Sequence, residues 1–170
     1  IFCEWYNTPL VDEDGEVIGV TSLVDDVTEK RLSEEMIWRQ ANFDALTGLP
    51  NRNMFHDRLT QEVMKSHRAD LPLALLLVDL DEFKEINDTL GHDMGDLLLQ
   101  EAGRRIQACV RSSDTVARLG GDEFTIILTQ IYKEDDATVV AKKVIETLSN
   151  SFKLGDHECS IGTSIGISIY

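Results

Sequence analysis

The sequence is poor in several kinds of residue, and each shortage excludes a class of protein. Only 3 of the 170 residues are cysteines, and they are widely spaced with no Cys-x-x-Cys pair. Neither a disulfide framework nor a cysteine zinc site is expected, and a reducing cytoplasm fits this composition best. The longest apolar run, Leu73 to Val78, is too short to span a bilayer. No membrane contact is expected for this stretch, although a longer parent protein could be attached to a membrane.

Positive charge is also scarce. Lys and Arg together number 16 against 31 Asp and Glu, which gives a formal net charge of −15 at pH 7. A nucleic-acid surface needs clustered Lys and Arg, so no nucleic-acid partner is expected. An acidic chain can still bind a nucleoside triphosphate when a divalent cation bridges its carboxylates to the phosphates. Apolar residues make up 42% of the chain, enough for a hydrophobic core.

The first 43 residues have the pattern of a β-hairpin followed by a helix. Two β-rich runs within residues 1–23 flank Asp12-Glu13-Asp14-Gly15, a turn sequence with glycine where a positive φ is favoured. Two strands alone cannot bury a hydrophobic face, so this hairpin is expected to pack on something outside this sequence or on a partner chain. Residues 28–43 are predicted to be helical. These residues carry an apolar seam that is interrupted by one arginine, formed by Leu32, Met36, Arg39, Phe43 and Leu46. The seam is equally consistent with a coiled coil and with an amphipathic helix that packs on its own domain.

From residue 44 onward the pattern predicts the element order α-β-α-β-β-α-β. The apolar run LPLALLLVDL ends in Asp79 and predicts a strand buried on both faces. Two further strands flank a tight turn at residues 120–123. Helices are predicted from Asn51 to about His67, from Asp96 to Val110 and from Glu134 to Ser149, and a last β segment from Glu158 to Tyr170. This order indicates an α+β fold of ferredoxin-like type, with a central, mostly antiparallel sheet flanked by helices.

Three carboxylates are predicted to meet at one edge of this sheet. Asp79 ends the apolar strand, and Asp122 and Glu123 lie at the tip of the hairpin. Gathered carboxylates repel one another unless a cation neutralises them, and oxygen ligands without sulfur or imidazole favour Mg²⁺ or Mn²⁺ over zinc. Since Mg²⁺ held by one or two carboxylates usually completes its shell with substrate phosphates, phosphoryl or nucleotidyl transfer is the expected reaction class.

Two other interpretations compete with this metal site. Asp, Gly and Asn at a hairpin tip are ordinary turn residues, and spacing alone favours that interpretation. Asp79-Leu80-Asp81 also opens like a calcium-binding loop. An EF-hand is excluded because Phe83 and Lys84 occupy the positions of the third ligand and of the required glycine.

Four ordered motifs decide between these interpretations. The turn is spelled Gly120-Gly121-Asp122-Glu123-Phe124, and the run from Asp79 to Asp96 follows D-x-D-x-F-K-x-x-N-D-x-x-G-H-x-x-G-D without a break. DALTGLPNR at Asp44–Arg52 and TSIGIS at Thr163–Ser168 complete the set. From Asp44 to Tyr170 the sequence resembles the GGDEF family of diguanylate cyclases, which implies a nucleotidyl-cyclase-like fold.

The resemblance implies an enzyme that condenses two GTP into cyclic di-GMP and releases pyrophosphate. The family acts as a dimer of antiparallel domains, each bringing one GTP, so a homodimer is the expected assembly. Asp79, the Leu80 carbonyl and Asp122 match the family's Mg²⁺ ligands, and Glu123 would bind a second metal or the phosphates. Asp122 also matches the residue usually proposed as proton acceptor, with Glu123 as the alternative.

Other positions match the family's GTP-binding residues. Asn87 and Asp96 correspond to guanine-reading positions, since a carboxylate can accept from guanine N1–H and N2–H₂ and an amide can bind O6 or N3. His92 matches a substrate-side position, with packing at the start of a helix as the alternative. Positions near the phosphates are matched by Phe83, Lys84, Gly120 and Gly121, of which the glycines let the backbone approach closely.

An Arg-x-x-Asp string formed by Arg111 and Asp114 matches the family's inhibitory site. Arg111 stands nine residues before Gly120, which is the register of that site. An arginine there would hold the guanine or phosphate of cyclic di-GMP bidentately. Such a short string is often accidental, but its register favours feedback by the product.

The front segment resembles the end of a PAS sensor domain, with its final hairpin and the exit motif Asp26-Val27-Thr28. The expected organisation is a PAS remnant over residues 1–27, a linker helix over 28–43 and a GGDEF domain over 44–170 that is truncated at its C-terminus. The family continues with a helix carrying Lys and Arg for the triphosphate, so weak GTP binding and slow turnover are expected of the chain by itself. Two alternatives stay open: a module that binds GTP or cyclic di-GMP without catalysis, and a purely assembling role for the linker helix.

Overall fold

A computed structural model describes residues 1–170, apart from the side chain of Glu134. It divides the chain into two compact units, residues 1–41 and 42–170. Among the described residues, all of the buried hydrophobic side chains except that of Val27 belong to the second unit. In this described part of the chain, no helix combines the length and the apolar character needed to cross a bilayer.

The first unit is a β-hairpin followed by a helix, as the sequence pattern predicts. Its elements are β1 (Cys3–Val11), β2 (Val17–Asp26), which pairs antiparallel with β1, and α1 (Thr28–Asn42). Asp12 holds the hairpin turn, because its Oδ1 accepts the backbone N–H groups of Asp14 and Glu16. Gly15 has a φ of +84°, a conformation that glycine adopts at little cost. The turn therefore forms where the sequence places its turn residues.

A threonine hydroxyl joins the hairpin to α1. Thr28 Oγ1 donates to Asp26 Oδ1 at 2.6 Å and accepts the backbone N–H of Phe2 at 2.8 Å. The backbone N–H of Thr28 also donates to Asp26 Oδ1, at 3.0 Å. These hydrogen bonds from the Thr28 hydroxyl and backbone hold the pKa of Asp26 below its ordinary value. The Asp-x-Thr sequence thus fixes where β2 ends and where α1 begins.

Helix α1 leaves its apolar side chains in solvent. None of its residues is buried, and Leu32 and Met36 of the predicted seam are 53% and 63% exposed. The seam therefore does not pack against the hairpin of its own unit. Its pairing with another helix stays a prediction.

The second unit is built around a four-stranded sheet. Its elements are α2 (Arg52–Ala69), β3 (Ala74–Asp81), α3 (Phe83–Leu90), α4 (His92–Cys109), β4 (Thr115–Gly120), β5 (Glu123–Leu128), α5 (Glu134–Ser149), β6 (Phe152–Leu154), β7 (His157–Cys159) and β8 (Gly162–Ile169). The strand order is β4-β5-β3-β8, and all neighbouring strands in it are antiparallel. The predicted α+β sandwich with a mostly antiparallel central sheet is confirmed.

The two faces of the sheet are covered unequally. One face packs on α4 and α5 and forms the main core, to which β3 contributes residues such as the fully buried Leu76. The other face carries a small cluster in which Phe55 of α2 packs on Ala117 and Ile127. Leu77 lies on that second face and is 47% exposed, so the prediction that β3 is buried on both faces is wrong. The reason is that α2 packs beside β4 and leaves this part of β3 uncovered.

Some elements differ from their predicted extents. The segment after β3 forms the eight-residue helix α3, and α4 begins at His92 instead of the predicted Asp96. The final β segment is divided into β7 and β8, and β6 pairs with β7 in an additional short hairpin. Three-residue strands are too short to produce a recognisable alternation of polar and apolar residues. Helix α5 begins and ends where the sequence predicts.

Cationic side chains cap the ends of α4 and α5 reciprocally. Arg105 on α4 donates three hydrogen bonds, of 2.7 to 3.3 Å, to backbone carbonyls where α5 ends. Lys143 on α5 donates to the Cys109 carbonyl, at 3.1 Å, where α4 ends. The Arg105 guanidinium also stacks over the ring of Phe152, 3.9 Å from its centroid. Since the last carbonyls of a helix lack intrahelical donors, these contacts stabilise both helix ends and the packing between them.

Arg105→Ala is expected to lower the free energy of unfolding by about 2 to 3 kcal/mol, because it leaves partly buried carbonyls without donors. Arg104→Ala is the matched control. Arg104 binds the same carboxylate, that of Glu101, but its side chain is 68% exposed against 15% for Arg105, so the loss should be small. Denaturant unfolding of both variants measures this difference, and equal losses would contradict the capping role.

Candidate functional site

The carboxylates of the predicted metal site lie at one end of the central sheet. Asp79 and Glu123 are directly opposite each other in the β3–β5 ladder, and the ladder ends at this pair. Asp122 precedes Glu123 in the two-residue turn between β4 and β5. Asp79 is exposed, and the other two carboxylates are half-buried. The fold therefore brings the end of β3 and the hairpin tip together on a face open to solvent.

Mutual repulsion marks this group of carboxylates. Partial burial raises the pKa of Asp79 above its ordinary value of 3.8, and three neighbouring negative charges raise it further. Those neighbours are Asp122, Asp81 and Glu123. None of the described Lys or Arg side chains forms an ion pair with these four carboxylates. The cluster is therefore short of positive charge, and a divalent cation would supply it.

The protein side chains alone do not complete a metal site. Within the described part of the chain, no group of three or more His, Cys, Asp or Glu residues is arranged to hold an ion. The carboxylates are close enough to raise the pKa of Asp79 but are not arranged around one point. Both hold at once because charges interact over longer distances than the roughly 2 Å of a magnesium–oxygen bond. Mg²⁺ needs only one or two protein carboxylates when phosphates and water fill its remaining positions. The oxygen donors at the sheet end fit Mg²⁺ or Mn²⁺ arriving with a nucleotide.

The strand end beyond Asp79 is held by β8. The pairing of β3 with β8 continues through Leu80 and Asp81 after the ladder with β5 has ended. Asp81 Oδ1 accepts the hydroxyl of Ser164 at 2.7 Å, and its Oδ2 lies 2.6 Å from where a Cβ on Gly162 would be. Asp81 is therefore tied to β8, which distinguishes it from Asp79.

The turn that carries Asp122 depends on two glycines. Gly120 has a φ of +137° and Gly121 a φ of +57°, conformations that other residues rarely adopt. A Cβ at either position would meet nothing within 4 Å. The backbone conformation, and not crowding, therefore requires glycine here, and the space beside the turn is open to a ligand.

A largely buried arginine anchors this turn. Arg118 donates to the Gly121 carbonyl from Nε at 3.0 Å and from Nη2 at 2.8 Å, and its Nη1 donates to Asp44 Oδ1 at 2.9 Å. The Arg118 and Asp44 side chains are only 10% and 22% exposed. Burial by itself would raise the pKa of Asp44. Hydrogen bonds from Thr47 and the Arg118 guanidinium outweigh it and hold this pKa below 3.8.

The sequence interpretation assigned no role to Arg118 or Asp44. Both were visible as parts of motifs, since Asp44 begins DALTGLPNR and Arg118 stands two residues before Gly120. Their side chains meet across 74 positions of sequence, which no local pattern reveals. The loop that begins at Asp44 reaches β4 because the Pro50 carbonyl accepts the backbone N–H of Arg118 at 2.9 Å.

The predicted guanine-reading residues lie on α3 and α4. Asn87 on α3 is half-buried, and its side chain lies against Gly95 of α4. Asp96 follows Gly95 directly and is exposed. His92 begins α4 and is also exposed, which argues against the alternative of a packing histidine. Asn87 and Asp96 are therefore close in the fold, as a shared ligand would require.

Helix α3 connects the carboxylates to these residues. Glu82 has a φ of +59° and makes a sharp turn between the end of β3 and the start of α3. Phe83 then packs against the main core, whereas Lys84 is exposed. The structure therefore gives Phe83 a packing contact and leaves Lys84 accessible to a ligand.

The Arg-x-x-Asp string forms the loop between α4 and β4. Asp114 Oδ2 accepts the backbone N–H of Arg111 at 3.0 Å, and its Oδ1 accepts that of Thr129 at 3.2 Å. Asp114 thus fixes the loop to β5. The Arg111 guanidinium forms no ion pair with a described side chain and lines a groove of about 180 Å³ between this loop and α5.

Comparison with known families gives one match over most of the chain. The family described as "Diguanylate cyclase, GGDEF domain" matches residues 41–170. The chain is 45% identical over 140 residues to the bifunctional diguanylate cyclase/cyclic di-GMP phosphodiesterase MucR of Pseudomonas aeruginosa. That similarity covers 82% of this chain and 20% of MucR. The chain therefore spans about a fifth of this relative, and the similarity concerns only that part.

Solved structures of similar sequence have the same fold. A form of TpbB (YfiN) from Pseudomonas aeruginosa that comprises only the GGDEF domain has a TM-score of 0.74 and 41% identity, covering 75% of each chain. The coiled coil and GGDEF domain of DgcB from Caulobacter crescentus, solved in complex with c-di-GMP, has a TM-score of 0.77 and 26% identity. It covers 85% of this chain and 77% of its own.

Arg118→Ala is expected to lower the free energy of unfolding by about 2 to 3 kcal/mol at neutral pH, because it removes the counter-charge of the partly buried Asp44 carboxylate and both side-chain hydrogen bonds to the Gly121 carbonyl. Arg52→Ala is the control, since Arg52 reaches the Leu119 carbonyl only at 3.5 Å and is exposed. Denaturant unfolding measures both.

The effect of Arg118→Ala should also depend on pH in one direction. Because the folded-state pKa of Asp44 lies below 3.8, its contribution to stability is present above that pH and is lost as the pH falls through the folded value. The difference between wild type and Arg118→Ala is therefore expected to shrink in acid. A difference that grows below pH 3.8 would contradict the pairing.

Proposed function

This chain belongs to the GGDEF family of diguanylate cyclases, and we propose that it condenses two molecules of GTP into cyclic di-GMP with release of two pyrophosphates. The observation that carries the proposal is the pairing of Asp79 with Glu123 at the open end of the sheet, next to Asp122 in a glycine turn. Carboxylate oxygens beside an open backbone turn are suited to a cation and the phosphates that it binds.

Mg²⁺ or Mn²⁺ is the proposed cofactor. Asp79, Asp122 and the Leu80 carbonyl would hold it, and Glu123 would bind a second ion or the phosphates. Bound there, the cation would polarise the α-phosphate and lower the pKa of the attacking 3′-hydroxyl. The raised pKa of Asp79 supports this assignment, because partial burial and three neighbouring carboxylates both disfavour its negative charge, and a bound cation would offset both.

The reaction also needs a proton acceptor. The 3′-oxygen of one GTP forms a bond to the α-phosphorus of the other, the bond from that phosphorus to the pyrophosphate oxygen breaks, and the hydroxyl proton passes to a carboxylate. Glu123 is paired with Asp79 across the ladder, whereas Asp122 lies in the turn outside it. Asp122 is therefore the better candidate for the base, and Glu123 for binding the second ion or the phosphates.

Recognition of guanine is proposed for α3 and α4. The Asp96 carboxylate would accept from guanine N1–H and N2–H₂, and the Asn87 amide would bind O6 or N3. Adenine presents the opposite donor and acceptor pattern at its N1 and C6 positions and would be rejected. The exposed His92 and Lys84 are proposed to contact the substrate outside the base.

Two copies of the chain are proposed to bring one GTP each. A single set of carboxylates cannot present both the attacking hydroxyl and the attacked phosphate, so the sites of two protomers would face each other. The exposed seam of Leu32 and Met36 on α1 supports pairing through a coiled coil. DgcB, solved with a coiled coil next to its GGDEF domain, gives a precedent for that arrangement.

Control by a preceding sensor and by the product is part of the same proposal. The hairpin of residues 1–27 exposes large apolar side chains, among them Trp5 and Ile18, as expected of a strand pair taken from the core of a PAS domain. Arg111 is proposed to bind cyclic di-GMP at the groove beside α5, with Asp114 fixing the loop that presents it.

The full-length protein is expected to form cyclic di-GMP from GTP and Mg²⁺, and removal of Mg²⁺ with a chelator should stop the reaction. Asp79→Asn is expected to lower kcat at least about 100-fold, because it removes a charged ligand of the cation. Chromatography of the nucleotides measures both effects. Asp57→Asn, a change of an exposed carboxylate on α2, should leave kcat unchanged.

Unreacted GTP in the presence of a folded dimer would refute catalysis. Binding of GTP or cyclic di-GMP in calorimetry without any turnover would favour a regulatory module in its place. Loss of GTP binding in Asp79→Asn would exclude a purely assembling role.

Arg111→Ala is expected to weaken inhibition by cyclic di-GMP by about tenfold or more, since a charged hydrogen-bonding group is lost from the product site. The rate without added product should stay the same. Initial rates at increasing cyclic di-GMP concentration measure the inhibition constant, with Arg58→Ala on α2 as the control. Identical inhibition of wild type and Arg111→Ala would remove this assignment.

A further inference from the structure

Gly95 lies near the start of α4, against the side chain of Asn87. A Cβ built on Gly95 would overlap Asn87 Oδ1 and would lie 2.9 Å from Asn87 Cγ and 3.2 Å from Phe83 Cζ. Real Cβ atoms essentially never approach other atoms to less than 3.0 Å. The Asn87 amide therefore occupies the volume that any other residue at position 95 would need.

The backbone at Gly95 does not itself call for glycine. Gly95 is inside α4 and is not among the residues with a positive φ. Glycine in a helix interior is about 1 kcal/mol less favourable than alanine. Local structure therefore disfavours glycine at this position, and the contact with Asn87 provides the physical reason for its presence.

Asn87 has little freedom to withdraw from this contact. Its carbonyl accepts the backbone N–H of Gly91 at 2.9 Å, and the Gly91 carbonyl accepts that of Gly95 at 3.2 Å. The short connection between α3 and α4 thus fixes both backbones. A methyl group at position 95 would have to be accommodated by rotation of the Asn87 side chain.

Packing, and not hydrogen bonding, sets the orientation of the Asn87 amide. No hydrogen bond links its side chain to another of the residues that the structure describes. Its polar atoms are therefore uncommitted, and they lie one residue away from the exposed Asp96. Such an amide can serve a ligand only if its neighbours hold it in one orientation.

We propose that Gly95 is a specificity-determining position of the nucleotide site: by having no side chain, it leaves the space in which the Asn87 amide takes the orientation that reads guanine together with Asp96. This inference rests on the proposed function, because it assumes that Asn87 and Asp96 contact the base. Gly95 acts through Asn87 and is a positioning residue.

A double-mutant cycle on thermal stability tests the contact without any nucleotide. Gly95→Ala is expected to lower Tm by several degrees in the wild-type background, because the methyl group displaces Asn87. In the Asn87→Ala background the same change should lower Tm much less, because the overlap with the amide is gone and only the 3.2 Å approach to Phe83 Cζ opposes the higher helix propensity of alanine. An equal fall of Tm in both backgrounds would overturn the contact as the reason for glycine.

Binding of GTP and ATP to the full-length protein tests specificity. Gly95→Ala is expected to weaken GTP binding about tenfold and to lower the ratio of GTP to ATP affinity, with no further loss in the Asn87→Ala background. Gly103→Ala is the matched control. A Cβ on Gly103 would lie 3.0 Å from Leu49 Cδ1, and Gly103 is about two helical turns beyond Asp96 on α4. It should leave the ratio unchanged even if Tm falls.

The outcomes separate this inference from the proposed function. A wild-type protein that binds neither nucleotide would overturn both. If the wild-type protein prefers GTP and Gly95→Ala has the same ratio of GTP to ATP affinity, only the role of Gly95 is overturned. Equal changes of the affinity ratio in Gly95→Ala and Gly103→Ala would assign the effect to general strain in α4.

Discussion

The rest of the site depends on one cross-strand pair, Asp79 and Glu123, which lie opposite each other at the end of the β3–β5 ladder. Antiparallel register fixes this pair, because a shift by one residue would move one carboxylate to the other face of the sheet. Partial burial, and then the negative charges of Asp122, Asp81 and Glu123, raise the pKa of Asp79. Repulsion among these carboxylates destabilises the fold without a ligand, and a bound divalent cation would reduce it. The same clustering of negative charge therefore both lowers stability and favours the proposed metal binding.

Supports outside the carboxylate cluster set its geometry. Arg118 connects the turn carbonyl of Gly121 to Asp44, so a loop far away in sequence holds the backbone that carries Asp122. On the other side, the sharp turn at Glu82 places α3 directly after the carboxylate-bearing strand. The uncovered second face of β3 leaves this end of the sheet accessible. Charge, backbone conformation and access are therefore arranged by different parts of the second unit.

Local patterns in the sequence predicted the elements that carry the site. Asn51 caps α2 by accepting the N–H groups of Asn53 and Met54, and α5 has its predicted bounds, because caps and helical periodicity depend on neighbouring residues. The alternating burial of β3 was missed because its residues are apolar on both sides, so that only the position of α2 decides which side is covered. The contact between Arg118 and Asp44 was missed for a related reason, since it depends on tertiary packing over 74 positions.

Locating a bound cation tests the proposed metal site most directly. Crystals of the protein grown with Mn²⁺ and a non-hydrolysable GTP analogue would show the ion by its anomalous scattering. One Mn²⁺ is expected within about 2.2 Å of an Asp79 oxygen and of an oxygen from Asp122 or Glu123, with the remaining positions filled by phosphate and water. An ion bound only by phosphates, or a nucleotide bound away from this end of the sheet, would contradict the proposed metal site.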